Sequence, residues 1–117
     1  YVDNTGRTCP NYHYEDLMGL YEQYQAKNLQ NMAVIVDTNH ANSGKNHLQQ
    51  PRIVNEVMHA CRHSGEIRSM VKGFMVESYL EDGNQKVGEG IYGKSITDPC
   101  LGWEKTEKMI FELADQL

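Results

Sequence analysis

The sequence predicts an α/β fold in which short parallel strands alternate with amphipathic helices. Two observations carry this. The β-branched run 33-AVIV-36 and the apolar run 70-MVKGFMV-76 have strand length, and between them lies a helix-length stretch with apolar residues at three-to-four spacing. A third run, 91-IYGKSIT-97, leads into another such helix. Strands alternating with helices imply a parallel sheet with right-handed crossovers.

The elements follow in order. Residues 1–13, YVDNTGRTCPNYH, are polar, carry Gly6 and Pro10, and are expected as loop. From Tyr14 the pattern is helical, with Leu17, Leu20 or Tyr21, Tyr24 and Leu29 on one face. The run 33–36 reads as a strand buried on both faces. A polar turn, 37-DTNHANSGKNH-47, comes next. A second helix is expected near Pro51, a favoured first-turn residue. Its apolar face is Ile53, Val54, Val57, Met58 and Cys61, and Gly65 is expected to stop it in a left-handed C-cap. The second strand is 70–76. Residues 78–90, with Gly83, Gly88 and Gly90, read as a long loop. Ile91–Thr97 is the third expected strand. Trp103, Thr106, Ile110, Leu113 and Leu117 line a last helix.

A chain of 117 residues fits one small domain, and no repeat or low-complexity tract divides it. No apolar run approaches the roughly 20 residues that span a bilayer. The chain opens on Tyr1, without a charged stretch leading into an apolar one, so no secretory signal is expected. The net charge of −5 and a pI near 5.5 argue against broad binding to nucleic acid or to an anionic membrane. A small phosphorylated substrate, held by a few local cations, stays compatible. Three cysteines, Cys9, Cys61 and Cys100, lack framework spacing and fit a reducing, cytoplasmic compartment.

Each expected strand runs into a metal-competent side chain. The first leads to Asp37 and His40, the second to Glu77, the third to Asp98. In parallel α/β folds the carboxyl ends of the strands share one rim, where sites form. One imidazole and two carboxylates suit Mn²⁺, Fe²⁺, Co²⁺ or Zn²⁺. Each residue also has a plainer reading. A lone histidine in a polar loop is more often solvated, Glu77 can be an exposed strand end, and Asp98 before Pro99 can cap a helix. Spacing alone leaves both readings open. Lys45 and Lys94 lie near the same rim, where solvated lysine is the commoner outcome. His59 and His63 stand one helical turn apart, usually an exposed polar face, and Cys61 falls on an apolar one.

The strings 36-VDTNHANSGK-45, 74-FMVESYLEDGNQ-85 and 92-YGKSITDPCLGWE-104 closely resemble three successive segments of class I 3-deoxy-D-arabino-heptulosonate 7-phosphate (DAHP) synthases. The preceding 10-PNY-12 and the last helix match in order, so the resemblance covers essentially the whole chain. Pro99 departs from the family, where a small residue such as Ala is usual.

The resemblance implies a transferase of the shikimate pathway, the route to the aromatic amino acids. Such enzymes condense phosphoenolpyruvate with erythrose 4-phosphate and water to give DAHP and phosphate. It implies one divalent metal, with His40, Glu77 and Asp98 among its ligands. The family's cysteine ligand lies on an early strand, and none of Cys9, Cys61 or Cys100 occupies that motif. It gives Lys45 an assisting role near the substrate.

The resemblance also implies a fold: residues 1–117 as the C-terminal portion of a TIM (β/α)₈ barrel, about strands six to eight with their helices. A closed barrel takes ~250 residues, so this chain is expected not to close one alone. It is expected to be inactive by itself and to associate as a homo-oligomer that covers its open edges. The competing expectation is a non-catalytic metal- or phosphate-binding α/β module.

Overall fold

The computed structural model describes residues 1–117. Five helices and two strands follow one another: α1 (Tyr14–Ala26), β1 (Val34–Asp37), α2 (His40–Ser43), α3 (Gln50–His63), α4 (Gly65–Met70), β2 (Val71–Met75) and α5 (Trp103–Ala114). A 3₁₀ turn, His47–Gln49, precedes α3.

The sheet is β1 beside β2, parallel, and it is open. Asp37 pairs with Met75, and the last ladder bond runs from the Thr38 N–H to the Met75 carbonyl at 3.0 Å. Gly73 pairs with Ile35, and a Cβ there would meet Ile35 Cδ1 at 3.3 Å. A side chain at 73 would crowd the neighbouring strand.

Three helices seal one side of this sheet. Leu17 of α1, Ile53 and Val57 of α3, and Ile67 and Met70 of α4 form a core with Val36, each almost wholly buried. A second cluster joins Val54 and Met58 of α3 to Leu101 and to Met109 of α5.

Several expectations need correction. Gly65 does not end the second helix in a left-handed cap. Ser64, extended at φ −136°, closes α3, and its Oγ accepts the Ile67 N–H at 3.2 Å to open α4. The first strand is buried on one face only: Val36 is buried and Ile35 exposed. The buried side of α5 carries Thr106 and Met109, whereas Ile110 is exposed and Leu117 lies beyond the helix. Leu29 likewise lies exposed past the end of α1.

The third expected strand, Ile91–Thr97, does not form. Its region makes isolated bridges only, Asn84 with Ser95, Gly83 with Cys100 and Ser78 with Leu101. Gly93 turns the backbone to φ 74°, and Pro99 has no N–H to give to a ladder. Side chains substitute for the missing ladder. Asn84 Nδ2 donates to the Thr97 carbonyl at 2.8 Å, and Gln85 Nε2 to the carbonyls of Ile91 and Lys94, each at 2.7 Å.

Candidate metal centre

The carboxyl end of β1 sets the first part of the site. Asp37 ends the strand, Thr38 and Asn39 are buried, and His40 enters the single turn of α2. His40 has φ 47°, a left-handed conformation uncommon for a non-glycine residue. Asp37 stabilises this turn at two points. Its Oδ1 accepts the Asn39 N–H at 2.8 Å, and its Oδ2 lies 2.7 Å from His40 Nδ1.

With Nδ1 engaged, Nε2 faces the other two candidates. It lies 3.3 Å from Glu77 Oε1 and 3.5 Å from Asp98 Oδ2. The ligand atoms of all three residues lie within 4.8 Å of one another. Two ligands each about 2.1 Å from one ion stand at most about 4.2 Å apart. Both Nε2 distances fall inside that limit. The three side chains are partly exposed, so the cluster is open to solvent. The hydrogen bond to Asp37 raises the His40 pKa, with the charges of Asp37, Glu77 and Asp98 adding to it and desolvation opposing. A histidine that donates Nδ1–H to a carboxylate presents Nε2 as its free donor atom, the arrangement common to histidine ligands.

Glu77 and Asp98 arrive by different routes. Glu77 follows β2 by two residues. The Asn39 amide donates to its Oε2 at 2.7 Å and lies 3.5 Å from the Pro99 carbonyl. Asp98 comes from the bridged segment, and its carboxylate faces His40 and Lys45, not a helix end. The N-cap of α5 is Gly102.

Lys45 also has a left-handed backbone, and its Nζ lies 3.4 Å from Asp98 Oδ1 at the exposed margin of the cluster. Lys94 lines an adjoining cleft of about 450 Å³ with Ser78, Tyr79, Thr97 and Cys100. A second cleft, about 420 Å³, lies elsewhere on the molecule, among Met58, Phe74 and Leu113, and holds none of these residues.

The remaining candidates lie outside the cluster's coordination. Burial, with the charges of Glu77 and Asp98, pushes the Cys100 thiol pKa up, and burial does the same for Cys61. Cys9 is buried near the first turn of the chain. His59 and His63 pack together with ring centroids 4.2 Å apart and planes tilted by 33°. Two buried amides, Asn39 and Gln50, hold the site from behind and went unread in the sequence. Gln50 stands three and four residues before Ile53 and Val54, so a polar residue in the apolar stripe of α3 was the available clue.

Residues 3–110 match the DAHP synthetase I family. The Trp-sensitive phospho-2-dehydro-3-deoxyheptonate aldolase of Enterobacter agglomerans is 44% identical over 113 residues, 94% of this chain and 31% of that enzyme. The tyrosine-inhibited enzyme of Schizosaccharomyces pombe is 33% identical over 117 residues, 94% of this chain and 30% of its own. The solved structure of the Francisella tularensis SCHU S4 enzyme superposes with a TM-score of 0.84 at 31% identity, over 95% of this chain and 32% of that one. The chain thus spans about a third of the length of the curated relatives it matches.

Proposed function

We propose, because this chain belongs to the DAHP synthetase I family, that residues 1–117 are one segment of a DAHP synthase and supply most of its metal-binding rim. The whole enzyme condenses phosphoenolpyruvate with erythrose 4-phosphate and water to give DAHP and inorganic phosphate, the first step toward the aromatic amino acids. The activity belongs to the longer chain. The observation that carries this reading is the convergence of His40, Glu77 and Asp98 within 4.8 Å from three distant parts of the sequence.

The residues divide the work. His40, Glu77 and Asp98 would hold one divalent ion, and this mixed nitrogen and oxygen set suits Mn²⁺, Fe²⁺, Co²⁺ or Zn²⁺. When bound, the ion supplies a Lewis acid for the aldehyde oxygen of erythrose 4-phosphate. Asp37 keeps the Nδ1 proton of His40 and so fixes which ring nitrogen faces the site. Asn39 occupies Glu77 Oε2 and leaves Oε1 toward His40. Lys45, beside Asp98 and exposed to solvent, offers a cation to a substrate phosphate or to a developing alkoxide.

The enzyme works in the cytoplasm, a compartment that suits three unpaired cysteines. No helix is long and apolar enough to cross a membrane. The acidic balance favours small substrates over nucleic acid or membrane as partners. The open sheet favours a homo-oligomer.

Mn²⁺ titration by calorimetry, on this chain and on His40→Ala, tests the reading. The expected result is binding to one site that is lost in the variant. Equal binding by both would place the metal elsewhere and overturn the assignment.

A further inference from the structure

We infer that Gln50 is a positioning residue for the metal ligands, acting through the peptide of Glu77. The inference rests on the metal reading above and concerns which residue sets its geometry. Gln50 is the first residue of α3 and is fully buried. A buried primary amide is costly unless its polar atoms are paired. Here the pairing is directed at one residue. Gln50 Oε1 accepts the Glu77 N–H at 2.9 Å, and Nε2 donates to the Glu77 carbonyl at 2.8 Å. The side chain therefore treats Glu77 as a neighbouring strand would, just past the point where the β1–β2 ladder ends.

The clamp reaches the other two ligands. Thr38 Oγ1 lies 2.9 Å from Gln50 Oε1 and 3.0 Å from the Met75 carbonyl, so its single proton orients toward one of two fixed acceptors. Thr38 stands two residues before His40. The Glu77 carbonyl also accepts the Leu101 N–H at 2.9 Å, and Leu101 stands three residues after Asp98. One buried amide thus pairs with both backbone groups of Glu77, whose carbonyl also takes the Leu101 N–H, and lies within hydrogen-bond reach of the Thr38 hydroxyl. It therefore links, directly or through Glu77, to all three ligand-bearing segments. A Leu or Met at position 50 would fill similar volume and satisfy the apolar stripe of α3. The amide is what the Glu77 peptide requires.

Co²⁺ is the probe, because its visible absorption reports both affinity and coordination geometry. Wild type, Gln50→Met, Thr38→Val and His40→Ala are titrated below their metal-free melting midpoints. Gln50→Met is expected to bind about tenfold to a hundredfold more weakly, the range seen when groups behind metal ligands are removed. Its absorption bands should shift, and Thr38→Val should move the same way by a smaller factor. A Gln50→Met protein that melts earlier but binds Co²⁺ with wild-type affinity and spectrum overturns the inference, since a merely structural role predicts that outcome. Should Gln50→Met fail to fold, Thr38→Val decides, and unchanged affinity and spectrum there overturn it too. Absence of Co²⁺ binding by wild type would sink the metal reading itself, and this inference with it, a result distinct from either variant's failure.

Discussion

Val36 and Ile35 are neighbours on β1, yet Val36 is 4% exposed and Ile35 is 59% exposed. Successive side chains of a strand point to opposite faces, so the two residues sample the two sides of one sheet. The Val36 side is sealed by α1, α3 and α4 through Leu17, Ile53, Val57, Ile67 and Met70. The Ile35 side is open, and Met75, Leu80, Ile91 and Ile96 are exposed as well. One side is a finished core. The other is an apolar surface without a cover, as expected of a chain that matches about a third of a barrel enzyme. The candidate metal centre lies at the strand ends between them, and this explains how it is organised while the sheet remains incomplete.

The comparison breaks if the two sides respond alike to truncation. Ile53→Ala on the sealed side should cost about 2–5 kcal/mol, because it leaves a cavity that its neighbours fill only in part. Ile35→Ala on the open side should change stability by no more than about 0.5 kcal/mol. Urea denaturation of both variants gives the ratio. Equal losses would mean that the open face is covered in solution, and a concentration-dependent midpoint would identify self-association as the cover.

A smaller effect sharpens the sealed side. Ser64 both closes α3 and caps α4, so the turn that holds Ile67 and Met70 in the core depends on one hydroxyl. Ser64→Ala should cost about 1 kcal/mol, the usual loss of an N-cap, read as a shift of the denaturation midpoint with an unchanged slope. An unaltered midpoint would show that burial alone fixes the turn.

The same division explains what was legible in the sequence. The helices of the sealed side are written as apolar residues at helical spacing, and α1, α3 and α5 begin at or within a residue of where that spacing starts. The site residues His40, Glu77 and Asp98 were legible as polar residues that follow apolar runs. That they could share one rim followed from the expected parallel topology. The groups that hold the rim together, Thr38, Asn39 and Gln50, were not legible, because their polar side chains look solvated in a sequence and are buried in the fold. The strand at Ile91–Thr97 was misread for a related reason. Its apolar pattern describes a surface that this chain alone does not bury, and Gly93 and Pro99 leave only bridges. Ile35 illustrates the same limit, since a β-branched run reads the same whether its second face is covered or open.

In the loop after Glu77 polar clamps replace apolar burial, and Asp82 is the clearest of them. Its Oδ1 accepts the Gly102 N–H at 2.8 Å and its Oδ2 pairs with Lys105, tying the loop after Glu77 to the start of α5. The Lys105 hydrogen bond lowers the Asp82 pKa, with the Gly102 N–H adding to it against desolvation. The sign of the pH effect follows. A carboxyl whose folded pKa lies below its unfolded value stabilises the fold above the unfolded pKa, near 3.9, and loses that contribution as pH falls through the folded pKa. Asp82 is about a third exposed and Lys105 half exposed, so solvent screening holds the contribution to less than about 1 kcal/mol. Asp82→Asn keeps an oxygen for Gly102 and removes the charge opposite Lys105. It should therefore lower stability slightly at pH 7, and the difference from wild type should fade as pH falls through the lowered folded pKa of Asp82 and shrink in high salt. A difference that persists at low pH, where neither protein carries the charge, would mean that the variant's amide disturbs the turn itself, and the pairing with Lys105 would then not be what holds the clamp.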